Sequence, residues 1–331
     1  MFSVIIPLYN KAAYIEKAIR SVLGQTYREF ELIIVDDGST DDPLPPKGGS
    51  GADRLKDFSL HSGKIQIFEQ VNQGVSTARN NGVKLAKYDY IAFLDADDWW
   101  EPTYLEEMRN LIEEFPEAGI YGSSYYLVKN EKKRKAPIGV NPSFTSGIIN
   151  YFQVYAKTLC MPLWTGATII KRKIFELENG FKPMLKLGED FDLWMRIALK
   201  HPVALLNKPL SNYNQDVELV NRAVGIKLYE PQQHVLFFDY HEFKENQDFH
   251  ILHEKLAVYG LLPYYLEGKN KKEVRDILST IRWQNHEFKY RLYYTILPKF
   301  VVSYWFEGLK LGVEIKKKLI VFTKINQPTS P

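Results

Sequence analysis

The stretch IAFLDADDWW, residues 91–100, decides the fold. Its four leading apolar residues read as the end of a buried strand. They run straight into three carboxylates, Asp95, Asp97 and Asp98, followed by two tryptophans. Ligands of open α/β sheets bind beyond the carboxyl ends of the strands, so acidic groups at that position point to a ligand site. Clustered carboxylates raise one another's pKa unless a cation or hydrogen-bond donors compensate. A divalent metal does this well, because Mg²⁺ takes one or two carboxylates together with phosphate oxygens and water. The competing role for such residues is helix capping and turn formation. That role suits Asp98 alone far better than it suits Asp95 and Asp97 together.

On both sides of this stretch the first half of the chain alternates strands and helices. SVIIPL (3–8), FELIIV (30–35), KIQIF (64–68) and YIAFL (90–94) read as strands. Between them, AYIEKAIRSVLG (13–24) places Tyr14, Ile15, Ala18, Ile19, Val22 and Leu23 on one helical face. GVSTARNNGVKLAK (74–87) reads as a helix capped by Ser76. Pro102 stands where the next helix begins, with Leu105, Met108, Leu111 and Ile112 facing inward. Apolar strands alternating with helices predict an α/β fold with a mostly parallel central sheet flanked by helices. DDPLPPKGGSGAD (41–53) reads as an irregular loop, with a short helix around DRLKDF (53–58).

Composition narrows the function classes. With 331 residues the chain is long for a single compact unit. A net charge of +3 gives no field of the kind that recruits nucleic acid. A lone cysteine, Cys160, cannot form an internal disulfide and fits a reducing compartment. The opening MFSVIIPLYN lacks the basic start of a signal peptide, and no apolar run is long enough to span a bilayer. A cytoplasmic chain is expected, soluble or peripheral on the inner face of the cytoplasmic membrane.

Two further clusters carry possible chemistry. In LGEDFDLWMRIA (187–198), Glu189 and Asp190 open a helix, where they either serve a ligand or offset the helix dipole. In NQGVSTARNNG (72–82), Arg79 lies near a helix N-terminus. It either meets an anion there or is an ordinary exposed arginine.

Taken in order, VIIPLYN (4–10), VDDGSTDD (35–42), QGVSTARNNG (73–82), FLDADD (93–98) and GEDFDLW (188–194) resemble the family 2 glycosyltransferases of GT-A fold, of bacterial cell-surface-glycan type. The resemblance covers roughly residues 1–215. It implies a Rossmann-like GT-A domain over residues 1–225 and a helical C-terminal region over 226–331. It also implies transfer of a sugar from a nucleoside diphosphate sugar, UDP-sugar favoured, to a hydroxyl of a glycan or lipid-linked acceptor. By motif position, Tyr9 stacks on the nucleobase, Asp37 bonds the base edge, and Pro7 and Asn10 shape the pocket. Arg79 lies near the base and diphosphate. Asp95 and Asp97 form the DxD pair holding Mn²⁺ or Mg²⁺, with Asp95 nearer the ribose. Asp190 is the general base of an inverting displacement, supported by Glu189. Trp164 and Trp194 are candidate platforms for the acceptor sugar, with a core role as the alternative for each.

The chain departs from the family pattern after Tyr213. Many relatives have a histidine there, and this chain reads NQD. Gln215 and Asp216 are its candidates for contacts with phosphate or metal, and residues 214–225 for a lid over the donor. In the C-terminal third, HEKLAVYGLLPYYLEG (253–268) and KEVRDILSTIRWQN (272–285) read as amphipathic helices. Between 269 and 331 there are 13 Lys or Arg against 5 Asp or Glu, including the run Lys316–Lys318. Basic charge beside aromatics suits an anionic membrane surface, or a helical subdomain with a solvated face. The alternatives for the whole chain are a metal-dependent phosphatase of haloacid-dehalogenase type, a nucleotidyltransferase, or a non-catalytic sugar-nucleotide-binding module. The phosphatase motif lies nearer its chain start than FLDADD does, and IPLYNKAAY lacks the nucleotidyltransferase's glycine-rich loop.

Overall fold

The structure, a computed structural model, describes residues 1–41, 63–217, 228–238, 240, 245–306 and 308. The expected loop beyond Asp41, the helix around DRLKDF, most of the expected lid and Lys316–Lys318 lie outside these residues. Two compact units are present, one within Met1–His253 and one within Glu254–Pro331.

The first unit is built on one sheet, which has ten strands among the described residues. Strands β1 (Phe2–Leu8), β2 (Phe30–Asp36), β3 (Ile65–Glu69) and β4 (Tyr90–Phe93) pair in parallel in the order β3-β2-β1-β4. Beyond β4 the sheet becomes mixed. β9 (Thr168–Lys171) runs antiparallel to both β4 and β6 (Ile120–Lys129), and β10 (Val203–Asn214) is parallel to β6. β5 (Trp99–Trp100), β7 (Lys132–Lys135) and β8 (Ser146–Ile149) add short antiparallel edges. A sheet covered on both faces requires apolar residues on both sides of each strand, and β1 is buried along its whole length.

The helices follow from their apolar spacing. α1 (Ala12–Leu23) buries Ile15, Ala18, Ile19 and Val22. α2 (Val75–Leu85) packs on β1 so closely that a Cβ on Gly82 would stand 2.5 Å from Cγ2 of Ile5. α3 (Tyr104–Glu114) buries the face expected of it, together with Tyr104. α4 (Tyr151–Thr158), α5 (Arg172–Leu177) and α6 (Glu189–Ala198) complete the layers that bear on the site.

The first unit extends to His253, past the expected boundary at 225. Residues 229–238 and Tyr240 pack back onto the start of α6, where Val235 N donates to Leu187 O and Tyr240 OH to Asp192. In the second unit, Glu254 accepts from Arg282 Nε at 2.8 Å and meets His286 Nε2 at 3.1 Å. Tyr294 OH donates to Val258 O. Helices α7 (Gln247–Gly260), α8 (Leu262–Glu267) and α9 (Lys271–Ser279) match the expected helical pattern.

Candidate active site

The strand order places a crevice between β1 and β4. Their register ends at Ile5–Phe93, whereas β1 follows β2 as far as Leu8–Asp36. The chains leaving β1 and β4 diverge there, which is the switch point at which open α/β sheets bind ligands. Asn10 turns the chain out of β1 with φ 49°, a left-handed conformation that asparagine tolerates. Its Oδ1 accepts from Thr40 N at 2.8 Å, and its own N–H donates to Ser39 Oγ at 3.1 Å. The loops after β1 and β2 are thereby laced together. Pro7 is buried in β1, and the Tyr9 side chain is 46% exposed at the rim.

Asp37 is 2% exposed, and both of its carboxylate oxygens accept hydrogen bonds from the chain. Oδ1 accepts from Gln70 Nε2 and Gln73 N, and Oδ2 from Gly74 N, each at 2.8 Å. The carboxylate thus holds the loop that leads into α2. It serves a helix start whose cap residue, Gly74 with φ 91°, has no side chain. Ser76, expected as that cap, is instead the buried second residue of α2.

The close approach of α2 to β1 carries Arg79 into the crevice, and it is buried rather than exposed. Nη2 meets Asp95 Oδ1 at 2.7 Å, Nη1 meets Glu189 Oε1 at 3.0 Å, and the guanidinium lies 5.2 Å from the Phe181 ring centroid. Burial opposes its charge, but Asp95 and Glu189 outweigh burial and raise its pKa above the ordinary value. One arginine therefore ties the DxD segment to the start of α6. Asp97 is paired as well, with Lys11 Nζ 2.6 Å from Oδ2. Lys11 and Arg79 offset the repulsion that the sequence leaves open.

Asp98 lies beneath the pair, 1% exposed, accepting from Trp164 Nε1 at 3.0 Å and Asn214 N at 2.9 Å. Burial, then Asp97 and Asp95, push its pKa well up. The turn Thr165–Ala167 follows Trp164 and is pinned by Trp100, whose Nε1 donates to Gly166 O at 2.6 Å. From this turn Thr165 Oγ1 donates to Asp190 Oδ2 at 3.1 Å, while Phe191 N donates to Oδ1 at 2.7 Å. Burial, followed by the charge of Glu189, raises the Asp190 pKa to about 6. Arg79 and the two hydrogen bonds oppose the rise. A carboxylate poised at that level can accept a proton near neutral pH.

Gly188 turns the chain into α6 at φ 81°, and a Cβ there would meet Val235 Cγ1 at 2.2 Å. His234, which bridges to Leu187, is buried and held neutral, its pKa lowered to about 4 by burial. Its Nδ1 accepts from Leu236 N.

Two further sequence expectations need correction. Trp194 is 0% exposed, packed against Phe181 in the core, and has no face to offer an acceptor. Asp216 is engaged elsewhere, and both its oxygens accept from Asn130 N. Trp164 is half-buried, with Tyr213 and Tyr125 rings at 4.1 and 5.8 Å. Lys11 and Thr165 were not recognised from sequence.

Asp95 and Asp97 give two hard oxygen donors whose side chains are 24% and 20% exposed. This suits a Mg²⁺ or Mn²⁺ ion whose remaining ligands are diphosphate oxygens and water. Among the described residues no group of three or more His, Cys, Asp or Glu side chains is arranged to hold a metal by itself.

The sequence model of glycosyl transferase family 2 matches residues 3–176, more than half of the chain. The chain belongs to glycosyl transferase family 2. This family 2 chain is 36% identical over 211 residues to an uncharacterized glycosyltransferase of Rickettsia felis, covering 63% of this chain and 32% of that protein. It is 37% identical over 124 residues to glycosyltransferase GlyA of Streptococcus pneumoniae, covering 38% and 16%. The chain spans about a third or less of the length of the first curated relatives it matches. Among solved structures, Staphylococcus aureus TarS 1-349 in complex with UDP-GlcNAc superposes with a TM-score of 0.58 at 18% identity, covering 91% of this chain and 79% of that one. The shared fold is the GT-A fold expected from the motifs. The family match ends before Glu189 and Asp190, whose place in the site rests on the geometry above.

Proposed function

We propose that this family 2 chain is an inverting glycosyltransferase. It moves a sugar from a nucleoside diphosphate sugar, UDP-sugar favoured, to a hydroxyl of a glycan or lipid-linked acceptor. The observation that carries the proposal is the Arg79 bridge, which joins Asp95 of the DxD segment to Glu189, the neighbour of Asp190, at 2.7 and 3.0 Å. In this mechanism Tyr9 stacks on the base, and Asp37 hydrogen-bonds the base edge while holding the loop into α2 in place. A cation held by Asp95 and Asp97, when bound, offsets charge on the departing diphosphate. Asp190 takes the proton of the acceptor hydroxyl as that oxygen attacks the face opposite the leaving group. The single displacement inverts the anomeric centre and needs no covalent enzyme intermediate. Support for the donor class comes from TarS, solved with UDP-GlcNAc and with UDP.

The test is a panel of nucleotide sugars with Mn²⁺ or Mg²⁺, reading binding and donor hydrolysis with chelator as control. Chelator-sensitive turnover of one or a few donors is expected. Binding of a donor with no turnover under any condition defeats the enzyme in favour of a binding module.

We also propose peripheral contact of the second unit with the inner face of an anionic membrane. Phe288, Phe300, Tyr304 and Trp305 are all more than 60% exposed there, beside Lys289, Arg291 and Lys299. Exposed aromatics flanked by lysines are the composition of an interfacial surface. No helix among the described residues is long and apolar enough to cross a membrane. Flotation with vesicles containing anionic lipid is expected at low salt and to be lost at high salt. No flotation at low salt rejects the contact.

A further inference from the structure

Lys11 is the N-cap residue of α1, placed there by the left-handed turn at Asn10. Its ammonium reaches across the crevice to Asp97, 86 residues away in sequence, at 2.6 Å. The side chains are only 15% and 20% exposed, so the pair is partly shielded from water and salt. The Tyr14 ring lies one turn along, 5.8 Å from the same ammonium, within the range at which an aromatic face holds a cation. Asp95 is taken by Arg79, a group too buried to leave. Of the two DxD carboxylates, Asp97 is therefore the one whose resident cation sits on a flexible stem with somewhere else to go.

We infer that Lys11 is a displaceable counter-ion of Asp97 that competes with the divalent cation for that carboxylate. The inference rests on Asp97 being a metal ligand, as in the proposed function. The ammonium offsets the charge of Asp97 and lowers its affinity for a bare divalent ion. A cation arriving with a diphosphate brings negative charge that can receive the freed ammonium. Metal and donor are thus loaded together, and metal alone is taken up poorly.

The test is titration of the full chain with Mn²⁺, without nucleotide, followed by the paramagnetic resonance of the free ion. It uses wild type, Lys11→Met, Lys11→Arg and Asp97→Asn, each first confirmed folded by its melting curve. Removing a positive charge next to an incoming divalent ion tightens Mn²⁺ binding about tenfold or more in Lys11→Met. Lys11→Arg, which keeps the charge, stays near wild type, and addition of UDP narrows the gap between wild type and Lys11→Met. If Asp97→Asn weakens Mn²⁺ binding while Lys11→Met leaves it unchanged, weakens it or shows none, the competition is overturned and Asp97 keeps its metal role. If Asp97→Asn binds Mn²⁺ as wild type does, the metal role itself fails and the inference falls with it.

Discussion

Asp190→Asn is expected to lower transfer about 10²- to 10⁴-fold, the usual contribution of a positioned general base, while donor affinity changes little. Asparagine fits the same contacts. Its oxygen accepts from Phe191 N, and its amide donates to Thr165 Oγ1 where the carboxylate accepted. Only the basic lone pair is lost. Single-turnover kinetics beside donor titration separates the two quantities, and full turnover by the variant would remove Asp190 from the mechanism. The pH profile gives a second reading. Asp190 ionises at about 6 in the folded protein, so kcat/KM should fall as pH drops below that value. Thr165→Val removes a hydrogen bond that favours the ionised form, and the acid limb moves to higher pH. The sign for stability is opposite. A carboxyl whose pKa is raised on folding contributes stability below its unfolded value of about 4, and that contribution is lost as pH rises through about 6. Asp190→Asn is accordingly more stable than wild type at neutral pH, by about 1–3 kcal/mol, a result that simple misfolding cannot imitate.

Arg79→Met is expected to remove both stability and activity. It leaves Asp95 and Glu189 facing one another without the guanidinium that now joins them at 2.7 and 3.0 Å. Removing one partner of a buried ion pair costs about 3–5 kcal/mol, or on the order of 10 °C in melting temperature for a unit of this size. The same change deprives Asp190 of the charge that holds its pKa down, so any residual activity should have its acid limb shifted upward. Calorimetry with a pH–rate profile reads both effects. A variant that melts with wild type would mean that the bridge contributes nothing.

Apolar runs bounded by turn residues made the four parallel strands and α1, α2, α3 and α6 legible, because burial on both faces leaves a local signature. The same signal could not separate Trp194 from Trp164. Each stands among apolar neighbours in sequence, and only the tertiary packing buries the first completely. Ser76 misled because serine is a common cap, whereas the cap here is Gly74, with its polar work done by Asp37 from another strand end. Lys11 and Thr165 reach partners 86 and 25 residues away. Nothing within either one's neighbourhood marks such a contact. Asp98 read equally well as a turn former, and became a buried acceptor only through Trp164 and Asn214, which the fold delivers from two distant segments.

The turn at residues 164–167 touches Asp98 of the DxD segment with Trp164 and Asp190, the proposed base, with Thr165. Adjacent residues on one bend thus gauge the distance between the acidic segment after β4 and the carboxylate at the start of α6. Lengthening or shortening that bend by a single residue would throw the two halves of the reaction out of step, even with every reactive side chain intact.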